Sequence, residues 1–167
     1  MACDALAAQR GVTIGMAVEQ AKAFSAGLVA LRYDEERVAR AALDVLTALL
    51  VLSPRVSWEK GHGVWWVDAA GLGSEARLAQ KLLKAAGAAG YGAARVGIAD
   101  SAIAAYAATV RWKTWRIVQS GRDAEFLAPF PLALLDLDED LADPLHALGL
   151  RAVGQLATLE ESEVEAR

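Results

Sequence analysis

Three sets of side chains could do chemistry in this sequence, and each is incomplete. The first is Glu59, just before Lys60-Gly61-His62-Gly63, with Asp68 beyond them. A lone carboxylate cannot organise a two-metal geometry. The second set is the acidic run Asp136-Leu137-Asp138-Glu139-Asp140, which repels anions. The third is five tryptophans, at 58, 65, 66, 112 and 115. Bases could stack on them, but tryptophans on strands more often serve the core or an interface. His62 and His146 share no metal-ligand spacing, and Cys3 stands alone, so neither a disulfide nor a thiolate metal site can be assembled. These residues imply no catalytic set, no metal and no cofactor.

The whole chain is compatible with that reading. Its 167 residues are 55% apolar and 23% charged, enough for one packed domain with a small appendage. The net charge is −4, whereas a chain that grips DNA unaided needs a basic surplus to neutralise phosphates. Weak autonomous DNA binding, or none, is expected. The longest apolar stretch, residues 41–52, is interrupted by Asp44 and falls short of a membrane span. Met1-Ala2-Cys3-Asp4 has neither the basic nor the apolar segment of a secretory leader. A cytoplasmic location is expected.

The periodicities give an α+β order. A short helix is expected over 16–25 and a small strand over Leu28–Leu31. The clearest helix runs from Asp34 to Leu52, where Val38, Ala41, Ala42, Val45, Leu46, Leu49 and Leu50 form one apolar stripe. Ser53-Pro54 stops it. Strands at 55–58 and 64–68 form a hairpin about the glycine-bearing linker. Ser74 offers an N-cap to a helix ending near Ala89. Ala94, Val96 and Ile98 alternate through a strand at 93–99, Asp100 or Ser101 caps the next helix, and 114–118 is a further strand. From Gly121 onward, prolines 129, 131 and 144 cut the chain into short helical pieces. Residues 160–167 read as a solvated end.

Five segments, in this order, resemble the Y-family translesion DNA polymerases. Gly11-Val12-Thr13-Ile14-Gly15-Met16 with Glu19-Gln20-Ala21-Lys22 is similar to a segment of that family's fingers. Ser53-Pro54-Arg55-Val56 resembles the entry into its palm, and Val96-Gly97-Ile98-Ala99 a palm strand that leads into a helix. Phe126-Leu127-Ala128-Pro129-Phe130-Pro131 and Leu148-Gly149-Leu150-Arg151-Ala152-Val153-Gly154-Gln155-Leu156 resemble segments at the start of the thumb and within it. The resemblance spans roughly residues 9–159 and stops short of the little finger. It implies a fingers-like remnant at 1–33, a palm-like α+β domain with a ferredoxin-like sheet at 34–120, and a small helical, helix-hairpin-helix-like thumb at 121–167.

The family's chemistry does not carry over with the motifs. Its metals are held by one carboxylate on the first palm strand and by an Asp-Glu pair on a later one. The first strand should precede Gly11, where this sequence has too few residues. The pair falls on Gly63 and Val64 if the strand's final Leu-Asp is set on Val67-Asp68, or on His62 and Gly63 if counted from Ser53-Pro54. Asp68 matches a structural aspartate of the family, and Glu59 reaches the pair only in a shifted register. The nucleotide-facing tyrosine and arginine fall on Ala5 and Ala8. Lys113 falls on the triphosphate-contacting lysine, and an ordinary surface lysine is the alternative. The phosphate-holding Gly-Ile-Gly of the thumb falls on Asp136-Leu137-Asp138, a loss of DNA grip. Gln155-Leu156-Ala157-Thr158-Leu159 faintly resembles a clamp-binding pentapeptide, although it coincides with a thumb helix.

The resemblance therefore implies a pseudoenzyme, similar to the inactive polymerase homologues of bacterial mutagenesis cassettes. Such a scaffold brings together a RecA-like accessory protein, an error-prone polymerase and the sliding clamp in damage tolerance. Two other readings remain open: a truncated translesion polymerase relative with weak nucleotide or DNA binding, and a protein–protein adaptor with no DNA role. Without its first strand the palm sheet has an empty central slot. Leu28–Leu31, Thr114–Val118 or a strand from a second chain would fill it, the last making a homo-oligomer or a strand-exchanged complex.

Overall fold

The computed structural model of the protein describes residues 4–59 and 63–158. These form a mixed α+β structure that divides between residues 38 and 39 into two compact units.

The first unit is built on two short helices, α1 (Ala5–Gln9) and α2 (Val18–Phe24). Asp4 opens α1 by accepting a hydrogen bond from the Ala7 N–H at 2.7 Å, an N-cap that the sequence reading had not placed. Ala7, Val12 and Ala21 are buried together, with Met16 and Leu28 against them. Arg10 donates from Nη1 to Ser25 Oγ at 2.9 Å and so ties the end of α1 to the end of α2. The expected strand at Leu28–Leu31 is not formed. The backbone there is irregular and pairs with no other strand, and the side chains of Val29, Leu31 and Tyr33 stand in solvent. A strand needs a partner for its N–H and C=O groups, and this segment has none.

Helix α3 (Glu35–Leu50) lies across the division, and its part in the second unit turns Val45 and Leu49 inward against Leu78 and Leu82 of α4 (Glu75–Ala88). Asp34 caps α3 through the Arg37 N–H. Ser74 sits at the N-cap of α4, but its side chain makes no cap hydrogen bond. Strands β1 (Val56–Glu59) and β2 (Val64–Val67) form an antiparallel pair with Val56 opposite Val67 and Trp58 opposite Trp65. Ser53, 1% exposed, explains why a serine ends α3: its Oγ donates toward the backbone oxygens of Asp68 (3.0 Å) and Arg55 (3.3 Å), fastening the helix end to the base of the hairpin.

Strand β3 (Val96–Ile98) and strand β4 (Trp115–Ile117) run parallel, joined by α5 (Ala102–Arg111) in the βαβ manner. Ser101 caps α5 by accepting from the Ala104 N–H. Gly97 is required by this crossover. A Cβ built there would lie 1.9 Å from the Ala105 carbonyl oxygen, so only glycine lets α5 rest on β3. The four strands form two separate two-stranded sheets, not one. Thr114–Val118 therefore does not fill a central slot: it pairs with the outer edge of β3.

The remaining described chain is helical: α6 (Asp123–Leu127), a 3-10 turn at Leu132–Leu135, α7 (Glu139–Ala147) and α8 (Val153–Leu156). It packs onto α5 through a cluster in which Ala104 and Ala107 meet Leu127 and Phe130, with Val153 against them. Phe130 and Ala128 accept backbone hydrogen bonds from Val153 and Gly154, fixing α8 to the α6 end. The tail at 160–167 lies outside the described residues. No helix among the described residues is long and apolar enough to cross a membrane.

Candidate functional site: an open cleft between two strand pairs

An open cleft of ≈ 1450 Å³ lies in the second unit, between β2 and β3. Its walls are the two strands, with Leu78 and Leu82 of α4 and Tyr106 and Thr109 of α5 beside them. Both walls turn open backbone toward it. The Asp68 N–H donates to the Arg55 oxygen at 3.0 Å, so the hydrogen-bonded pairs along the hairpin are 55–68, 57–66 and 59–64. Alternation in an antiparallel ladder then directs the N–H and C=O of Trp65 and Val67 away from β1. On the other wall, Val96 donates to Thr114 and Ile98 accepts from Val118, so Gly97 turns its backbone groups away from β4. Trp65, Val67 and Gly97 all line the cleft.

The acids singled out in the sequence are engaged structurally. Asp68 forms an ion pair with Arg55 and accepts the Ala70 N–H at 2.9 Å, ending β2 and shaping the following turn. Glu59 accepts from Trp66 Nε1 at 3.1 Å. Asp100, at the end of β3, accepts from the Ser120 hydroxyl (2.9 Å) and the Gly121 N–H (2.7 Å). Gly63 occupies the turn before β2 and Val64 begins the strand, so neither position of that register bears a carboxylate. His62 lies outside the described residues. Among the described residues no three His, Cys, Asp or Glu side chains converge on a possible metal position.

The tryptophans divide by environment. Trp65 is half-buried, donates from Nε1 to the Ala42 carbonyl at 3.3 Å and meets Tyr91 edge-on at 5.5 Å. Trp112 stacks on Phe126 at 5.5 Å, with the guanidinium groups of Arg116 and Arg111 at 5.1 and 5.7 Å from its ring. Lys113 follows it in the exposed turn before β4 and makes no ion pair among the described residues. Ala8 is an exposed position of α1. The Arg111–Trp112–Arg116 stack escaped the sequence reading, although its i, i+1 and i+5 spacing is a signal that helix-then-strand geometry could have brought together.

The acidic turn has one informative backbone feature. Asp136 is the only non-glycine residue with positive φ among the described residues, at φ 49° and ψ 46°. That left-handed conformation is natural for glycine and tolerated by aspartate. The chain turns there from the 3-10 segment into α7, with Asp138 at the N-cap. Replacing Asp136 with Gly should leave stability unchanged or raise it by up to about 1 kcal/mol, while Asp136→Val should lower it by about 1–2 kcal/mol. Urea denaturation of the three proteins checks the order.

No protein-family model matches this chain, and no curated protein matches it either.

Proposed function

We propose that the protein is a catalytically inactive, Y-family polymerase-like scaffold that acts in DNA damage tolerance, most similar to ImuB, the polymerase homologue of bacterial mutagenesis cassettes. In this reading the β1–β2 hairpin, α4, β3 and α5 correspond to a palm, and the helices after residue 121 to a small thumb. The observation that carries the proposal is the state of the hairpin. By the resemblance the family's acid pair falls on Gly63 and Val64, or on His62 and Gly63, with no carboxylate in either register, and the nearby Asp68 is committed to Arg55 and the Ala70 N–H. A two-metal displacement cannot be organised without that pair. Two further features support the assignment. Gly97 of the Val-Gly-Ile-Ala segment is under a tight steric demand, and Asp136 holds a glycine-like conformation where the family has a glycine.

The partners suggested by the resemblance are a RecA-like accessory protein, an error-prone polymerase and the sliding clamp, with a cytoplasmic setting. A role for Lys113 at a triphosphate belongs to the rival reading, a truncated relative that still binds nucleotide. Primer extension and calorimetry with magnesium or manganese, with and without nucleotide, discriminate between them. The expected result is no incorporation and no specific heat of metal binding; a micromolar metal site in the hairpin overturns the proposal. Fluorescence anisotropy on a primer-template at near-physiological salt should give only weak, salt-sensitive binding, since Asp136 and Asp138 oppose phosphate and the net charge is −4. Submicromolar affinity would favour the rival.

A further inference from the structure

The cleft between β2 and β3 is an incomplete piece of sheet. Each wall offers unpaired backbone donors and acceptors, at Trp65 and Val67 on one side and Gly97 on the other. Unpaired backbone groups of this kind are costly when buried and adhesive when open. The complement to two such edges is a single extended peptide that hydrogen-bonds to both, as in β-augmentation. Charge narrows the occupant further. Of the charged residues that line the cleft, Arg55 is paired with Asp68, Asp100 holds the Ser120–Gly121 turn, and Arg95 donates to the Val110 carbonyl at 3.5 Å. The inward face of the occupant is therefore uncharged and apolar, to meet Trp65, Val67 and Val96 over the α3–α4 core.

The same chain carries a segment with that chemistry. From Val29 to Tyr33 no strand is formed, and Val29, Leu31 and Tyr33 are 75%, 85% and 69% exposed. Their spacing of two places all three on one side of an extended strand, with Ala30 and Arg32 on the other. Isolated exposed apolar residues are ordinary, but three in register on a backbone with no strand partner are not.

We propose that residues 29–33 of one copy insert as a strand into the β2–β3 cleft of a second copy, and that the exchange is reciprocal. A two-fold exchange fills both clefts and leaves neither segment free, so the assembly closes at the dimer. Val29, Leu31 and Tyr33 then cover the apolar wall, Ala30 lies on the side where Gly97 brings α5 close, and Arg32 keeps to solvent. The inference goes beyond the scaffold reading and does not depend on it, since its test involves neither DNA nor a cassette partner.

Light scattering of the full chain over a concentration series, with amide hydrogen exchange on the same samples, tests it. The wild-type chain should be a dimer at micromolar concentration, with slow exchange at Trp65, Val67 and Gly97. Leu31→Asp sets a charge against an apolar wall and should weaken the dimer by at least about tenfold, while those three amides become fast. Because Leu31 is 85% exposed in the single chain, the variant should keep its circular dichroism spectrum. Val51→Asp changes an equally exposed residue (84%) outside both the segment and the cleft and should dimerise normally. A monomer at every concentration, protected cleft amides within a monomer, or a dimer untouched by Leu31→Asp would each overturn the proposal.

Discussion

Replacing Gly97 with alanine should destabilise the protein by about 3 kcal/mol, and with valine by more, although the residue is a glycine in a strand of three. The cause is contact, not conformational freedom. The added Cβ would lie 1.9 Å from the Ala105 oxygen, 2.8 Å from its carbonyl carbon and 3.0 Å from the Ala108 Cβ. Two of these are backbone atoms of α5, which cannot swing aside as a side chain can. Relief requires the whole helix to withdraw from β3, exposing Ala108, now 0% exposed. Overpacking of this kind costs typically about 1–3 kcal/mol and more where no atom can yield. In a chain of this length about 3 kcal/mol corresponds to a fall of roughly 6–12 °C in Tm. Gly87 provides the control. It lies inside α4 with nothing within 4 Å of a built Cβ, so Gly87→Ala should be neutral or stabilise by up to about 1 kcal/mol. The melting temperature should fall for Gly97→Ala and hold or rise for Gly87→Ala; equal behaviour would mean that α5 does not rest on β3 as described.

The second large effect is expected at Phe130. Its side chain is 5% exposed and joins two helices: it packs with Ala104 and Ala107 of α5, lies under the Arg111 guanidinium of the same helix at 5.7 Å, and meets the Phe126 ring of α6 at 5.3 Å. Phe130→Ala removes an aromatic side chain from a site whose surroundings are helix and strand ends, which collapse poorly into the gap. A loss of about 3–5 kcal/mol follows. Since whole domains are stable by only about 5–15 kcal/mol, the variant should be close to unfolding at physiological temperature. Hydrogen exchange should show the deficit first in the described chain from 123 to 156, which is held to α5 mainly through this cluster. Arg111→Ala, which removes only a partly solvated cation over the rings, should cost about 0.5–1 kcal/mol.

The elements with strong periodicity were legible in the sequence to within a few residues. The α3 stripe, the paired strands on either side of the glycine-bearing linker, the helix after Gly73 and the β3–α5–β4 series all lie where spacing places them. Two kinds of feature were not legible. Leu28–Leu31 has the composition of a strand, but strand formation depends on a neighbour that one segment cannot report. The short α1 rests on a single aspartate cap and five residues, too few for a periodic signal. For the site, the partners of Glu59 and Asp68, Trp66 Nε1 and the Arg55 guanidinium, depend on the strand register and are recorded by no residue pattern. The cleft could be anticipated only as a question about an empty slot, because no residue pattern records which backbone edges are left open.

The division of the strands into two independent pairs also bears on how the chain folds. Both ladders close locally: β1 meets β2 across one hairpin, and β3 meets β4 across one helix. No backbone pairing bridges the two halves, so the long loop closures that slow most mixed sheets are not required. Local ladder closure of this sort favours rapid strand pairing. Each half can nucleate on its own helix, hairpin against α3 and α4, parallel pair against α5. Side-chain packing already joins the halves, since Val96 of β3 lies against the α4 core, and in the proposed exchange the backbone across the cleft is completed in a bimolecular step whose rate depends on concentration.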